Sequence, residues 1–110
     1  MPMLDLRPAH RLLLLDLLAE HVPHAEVWAY GSRVNGESHD GSDLDLVVRD
    51  PAAPAESGRW LHQLRDSLEE SDLPILVDVL DWARASDDMR REIERNHVVL
   101  CLPVAENVRR

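Results

Sequence analysis

Apolar positions along this chain recur with two different periods, and the alternation between them divides it into helices and strands. Over Pro8–His21, Leu12, Leu13, Leu15, Leu17 and Leu18 form a broad apolar face that Val22 extends, with Arg11, Asp16 and Glu20 opposite. The spacing predicts a helix with Pro8 in its first turn and Pro23 after its end. Residues 25–30 read as a short buried strand, 33–36 as a helical turn and 37–42 as a polar loop holding Gly41. Leu44–Arg49 is a second strand, expected antiparallel to the first, and the run Asp50-Pro51-Ala52-Ala53-Pro54 breaks the chain after it. Residues 56–70 place Trp60, Leu61, Leu64 and Leu68 at helical spacings, and 75–80 form a third strand. Residues 86–96 predict a helix capped by Ser86, with Asp87 and Asp88 in its first turn and Met89 and Ile93 on its buried side. A short edge strand over 98–102 closes the pattern. Strands interleaved with helices predict an α/β (α+β) fold: a mixed sheet of three to four strands flanked by about four helices, in a single domain over residues 1–110.

The chemistry concentrates between the first two strands. Gly31 and Ser32 open a turn after Val27-Trp28-Ala29-Tyr30; ten residues later, Asp43-Leu44-Asp45 begins the second apolar run. Side chains alternate along a strand, so Asp43 and Asp45 project from one face while Leu44, Leu46 and Val48 pack on the other. Two carboxylates held side by side repel unless a cation lies between them, and Mg²⁺ is held by one or two carboxylates plus substrate phosphates. Gly31 and Ser32 offer backbone N–H groups and a hydroxyl where phosphate binds well. The combination equips a site to grip metal with one element and phosphate with the other. Asp78, a carboxylate inside the apolar run Ile75-Leu76-Val77-Asp78-Val79-Leu80, needs a cation, a hydrogen-bond network or a strand end to be stable there. Asp81 reads as structural, a cap for the loop ahead of Ala83 and Arg84.

The pattern G-S, ten residues, D-x-D resembles the signature of minimal nucleotidyltransferases of the DNA polymerase β-like superfamily. The match falls residue for residue on Gly31, Ser32, Asp43 and Asp45, with Asp78 in the place of a third carboxylate on a later strand. Length and element order are also similar to the MntA-type antitoxins of HEPN/MNT toxin–antitoxin pairs. The resemblance implies a two-metal reaction: Asp43, Asp45 and Asp78 hold two Mg²⁺ ions, Asp78 accepts the attacking proton, and Gly31, Ser32 and Arg33 hold the nucleotide. It further implies that ATP is the substrate, that AMP passes to a hydroxyl of a protein acceptor, and that the acceptor is a HEPN-type ribonuclease toxin silenced by the modification. Two other readings stay open on the residues alone. One is an antitoxin that neutralises its partner by binding only. The other is a small-molecule nucleotidyltransferase of the aminoglycoside type.

Composition narrows the partners. The chain carries 21 acidic residues against 12 arginines and a net charge of −9, which disfavours direct binding to a nucleic-acid polymer and suits a basic protein partner. No apolar run approaches the ~20 residues that span a bilayer, no basic leader precedes an apolar segment, and a single cysteine, Cys101, fits a reducing compartment. A cytoplasmic protein is expected. Cys101 reads as a small core residue and the three tryptophans as core, although Trp82 lies close enough to the third strand to approach a base. The six histidines lack metal-ligand spacing; His39 lies in the glycine-flanked loop beside the candidate site.

Overall fold

The computed structural model describes residues 3–39, 41–52 and 60–103. In chain order these form α1 (Pro8–His21), β1 (Glu26–Tyr30), α2 (Ser32–Asn35), β2 (Leu44–Arg49), α3 (Trp60–Glu70), β3 (Val77–Asp81), a 3-10 turn (Trp82–Arg84), α4 (Asp87–Arg95) and β4 (His97–Cys101). The sheet has the strand order β3-β2-β1-β4. β1 lies antiparallel to both β2 and β4, whereas β2 and β3 run parallel. A parallel pair needs a crossover, and α3 provides it. The mixed sheet and four helices are those expected from the pattern, and α1 and β2 occupy the expected residues. Of the helix expected over 56–70, residues 56–59 fall outside the described residues.

The alternation along each strand sorts the sheet into two faces. Val27 and Ala29 of β1, Leu44, Leu46 and Val48 of β2, and Val79 of β3 are buried under Leu14 and Leu18 of α1 and Leu64 and Leu68 of α3. Burying a leucine fully contributes on the order of 1.5–3 kcal/mol, so this layer supplies most of the stabilisation. The opposite face has a smaller cluster of Val47, Trp82 and Ile93, with Trp28, Tyr30 and Leu80 against it. α4 therefore covers only part of that face, and the row at its end remains open.

Several expectations change in detail. α2 starts one residue early, at Ser32, and ends at Asn35, where Gly36 adopts a left-handed conformation (φ 85°) and stops the turn. β3 starts at Val77 and runs to Asp81. Met89, expected on the buried side of α4, is 41 % exposed; Ile93 alone is buried there. Trp82 is buried beneath the cations of Arg90 and Arg49, with ring centroids 5.2 and 5.9 Å away, so it is a core residue. Cys101 is half-buried against the main core, as expected, and burial pushes its thiol pKa up. Among the described residues no helix is long and apolar enough to cross a membrane.

Candidate active site

β1 delivers the chain to Gly31, whose backbone (φ 82°, ψ −155°) lies in a region essentially reserved for glycine. A second constraint acts at the same atom. A Cβ at Gly31 would run into Oδ2 of Asp45 and stand 3.3 Å from its Cγ. The glycine thus lets the turn pass directly over the carboxylate. Ser32 follows in the first turn of α2, half-buried, and Val34 N–H donates back to Gly31 O at 3.1 Å.

The segment that returns to β2 is fastened by side chains. Arg33 is buried (7 % exposed); its Nε donates to Ser42 O at 3.0 Å and its Nη1 to Asp5 O at 2.8 Å. Asp5 N–H donates to Arg33 O at 2.7 Å, and the Ser38 hydroxyl donates to the Asp5 carboxylate. A tight turn completes the loop: Ser42 N–H donates to His39 O and His39 N–H to Ser42 Oγ, both at 2.9 Å. The His39 ring accepts from Gly41 N–H at 3.1 Å. Arg33 was expected to touch nucleotide. Its guanidinium instead bonds two carbonyls, which makes it a positioning residue for the loop ahead of Asp43. His39 is likewise engaged within its own turn.

Register then assembles the acidic row. Asp45 of β2 pairs with Tyr30 of β1 on one side and with Asp78 of β3 on the other. Asp43 is exposed just before β2, Asp45 is half-buried, and Asp78 is exposed. Asp78 therefore needs no buried counter-charge, contrary to the expectation from its apolar run. β3 is the outer strand of the sheet, and Asp78 opens to solvent. What links Asp78 to the site is its place beside Asp45. The electrostatics agree: burial, then Asp78, then Asp43 raise the pKa of Asp45. Burial, then Asp45, then Asp78 push the Tyr30 phenol up to about 12. Asp81, one turn of the pleat away, is buried, and its Oδ1 accepts from Ala83 N–H at 3.1 Å, the capping role expected of it.

The donor set suits a hard cation. Among the described residues no three carboxylate, imidazole or thiolate groups converge to cage a metal by themselves. An open row of carboxylates leaves coordination positions for water and phosphate oxygens, the manner in which Mg²⁺ is ordinarily held. Burial first, and then the neighbouring carboxylates of Asp78 and Asp43, disfavour the charged form of Asp45, a cost that a cation at the row would offset.

Residues 14–103 match the family described as Polymerase beta, Nucleotidyltransferase. The chain belongs to this nucleotidyltransferase family. A probable protein adenylyltransferase MntA of Haemophilus influenzae is 38 % identical over 97 residues, covering 88 % of this chain and 83 % of that protein. Two crystal structures share the nucleotidyltransferase fold. One, a toxin–antitoxin with AMP-PNP, superposes with a TM-score of 0.67 at 22 % identity, covering 92 % of this chain and 77 % of that one. The other, the toxin–antitoxin MntA-HepT, gives a TM-score of 0.62 at 19 % identity, covering 92 % and 76 %. Within this nucleotidyltransferase, Tyr30 is the neighbour of the acidic row that sequence reasoning missed. Its signal was available, because Tyr30 directly precedes Gly31 at the end of a strand paired with the D-x-D strand.

Proposed function

We propose that this chain is a Mg²⁺-dependent protein adenylyltransferase. It moves AMP from ATP to a hydroxyl of a protein partner, a HEPN-type ribonuclease toxin, and thereby acts as that toxin's antitoxin. The observation that carries the reading is the Asp45–Asp78 register beside the Gly31 turn, in a chain 38 % identical to a probable protein adenylyltransferase. Cytoplasm is the compartment this reading implies.

The transfer requires positioning and charge neutralisation rather than covalent help from the protein. The acceptor oxygen bonds to the α-phosphorus, the bond from that phosphorus to the β-phosphate bridging oxygen breaks, and pyrophosphate leaves. Asp78, exposed on the edge strand β3, receives the hydroxyl proton. Asp43 and Asp45, with Asp78, are the residues that would hold Mg²⁺. Bound there, the ions supply charge neutralisation on the attacking and leaving oxygens. The Gly31 and Ser32 backbone and the Ser32 hydroxyl hold the outer phosphates, and Arg33 keeps the loop closed behind them. The acceptor docks on the domain itself, where an acidic protein suits a basic partner surface.

The test is to incubate the chain with its partner, Mg²⁺ and ATP radiolabelled on the α-phosphate. Label should appear on the partner, with the mass increase of AMP, and should fall by more than about 100-fold in Asp45→Asn, beyond the loss usual for groups that only support a metal ligand. A stable complex with no label would instead identify neutralisation by binding alone.

A further inference from the structure

β3 is the outermost strand of the sheet, and among the described residues no strand pairs with its outer side. Leu44 N–H donates to Leu76 O at 2.9 Å, and the parallel register continues as Leu44↔Val77 and Asp45↔Asp78. In such a ladder successive residues turn their main-chain groups to opposite sides of the strand. Leu76, Asp78 and Leu80 therefore bond toward β2, while Val77 and Val79 present N–H and C=O outward. Arg65 of α3 caps one of these outward groups, its Nη2 donating to Val79 O at 2.7 Å. The open part of the edge is thus its leading end, at Val77, one residue from Asp78. A cavity of about 290 Å³ adjoins the same end, with Leu68, Glu69, Leu73, Ile75 and Val77 in its lining. Leu76, which also lines it, is a large apolar side chain left 72 % exposed.

We propose that this end of β3 receives the acceptor protein as an added strand, with an apolar side chain in the cavity and the reacting hydroxyl on the adjacent residue. The inference rests on the transfer reading, because a hydroxyl that gives its proton to Asp78 must come to β3. Extended segments dock on free sheet edges in this way: main-chain hydrogen bonds supply affinity, and pockets for alternate side chains supply specificity. The alternation fixes the pattern that is recognised. Asp78 faces the open side of the sheet, whereas Val77 packs on the helix-covered core. A residue placed beside Asp78 turns its side chain toward the carboxylates, and its neighbour beside Val77 turns into the cavity. The preferred acceptor is therefore a hydroxyl residue directly next to a large aliphatic one. Glu69 in the cavity lining, with Asp43 and Asp78 exposed nearby, favours arginine or lysine flanking that pair.

Calorimetry of the full chain with two capped peptides tests this directly. The peptides share one composition, with arginine at each end; in one, leucine stands directly beside the single serine, and in the other it stands two residues away. The adjacent arrangement is expected to bind at least about tenfold tighter, the effect of burying one leucine side chain. Val77→Pro, which deletes an outward N–H and keeps the bonds to β2, should abolish that preference, and so should Leu76→Glu at its exposed position. In transfer to the partner, both substitutions should raise the KM for the acceptor by at least about tenfold and leave the KM for ATP unmoved. Loss of folded protein lowers kcat and would not produce that split. Equal affinity for the two peptides, no affinity for either, or an acceptor KM unmoved by Leu76→Glu would overturn the docking edge. A dimer of the chain that Leu76→Glu dissociates would overturn it as well, by giving the edge to a second copy. The transfer reading fails separately: peptide bound with this preference, but no label reaching the partner, would sink that reading and leave the edge.

Discussion

Gly31 and Asp45 are made for each other: the backbone of one occupies the space that any side chain there would take from the carboxylate of the other. Gly31→Ala must therefore either leave the glycine-only conformation or displace Asp45. Strain of this kind costs on the order of 1–3 kcal/mol, so denaturant unfolding should show a loss of about that size, accompanied by loss of transfer. Asp45 itself is a stability liability in the metal-free chain. Burial and the two neighbouring carboxylates raise its pKa, so its ionised form costs free energy that unfolding recovers. That cost is absent in acid, below the carboxylate range of the unfolded chain, and grows as pH rises through the raised folded value. Asp45→Asn is accordingly expected to melt above the parent at neutral pH, with the difference closing as the buffer is taken below about pH 4. Thermal melts of both proteins across pH, without divalent ions, check this; a constant offset would show that ionisation of the Asp45 carboxylate is not its source. At this scale the positions of Gly31, Ser32, Asp43 and Asp45 were legible because a turn followed by a period-2 strand fixes where the side chains point. The task of Arg33 was not. Its partners are the carbonyls of Asp5 and Ser42, and contacts between 9 and 28 residues apart leave no local pattern. Arg33→Ala should loosen the returning loop. Hydrogen exchange at residues 37–42 is expected to accelerate, with a stability loss of about 1.5–3 kcal/mol for charged hydrogen bonds.

Among the elements, α4 shows how a local rule and a tertiary one part company. Ser86 caps it as the sequence predicts, its Oγ accepting from Met89 N–H at 3.1 Å, and Ser86→Ala should cost about 1 kcal/mol in unfolding free energy. The same helix misleads about Met89, because its spacing specifies a face but not how far the sheet beneath it extends. Only Ile93 reaches the second cluster; Met89 is left 41 % exposed. α1 presents the converse difficulty. Leucines occur nearly all round it, so the broad face included Leu12, which is 66 % exposed, while only Leu14 and Leu18 are fully buried. Strand identity was readable from short apolar runs, whereas the parallel pairing of β2 with β3 was not. It depends on the length and path of the connection through α3, and it is this pairing that brings Asp78 to Asp45.

The molecule as a whole divides labour between the two faces of one sheet. Leu46, fully buried on the helix-covered face, and its neighbour Asp45, on the open face, serve stability and chemistry through adjacent positions. Leu46→Ala should cost about 2–5 kcal/mol as a cavity in a packed core, and its specific activity below the melting transition should remain measurable, because the row of carboxylates is held by backbone register rather than by that side chain. Charge acts at the same scale. With 21 acidic residues and a net charge of −9, the surface repels free nucleotide and attracts cations and basic proteins alike. On the proposed function, Mg²⁺ neutralisation would serve substrate capture as well as the transfer step. If the partner is a basic toxin surface, its encounter with this chain is steered electrostatically, and such steering is screened with a Debye length of about 8 Å at physiological ionic strength. Association rates measured by stopped flow should then fall by at least about tenfold between 0.05 and 0.5 M salt, with dissociation changing less. A rate indifferent to salt would mean that the acidic surface is no more than a solvated exterior, and that shape and apolar contact alone bring the two proteins together.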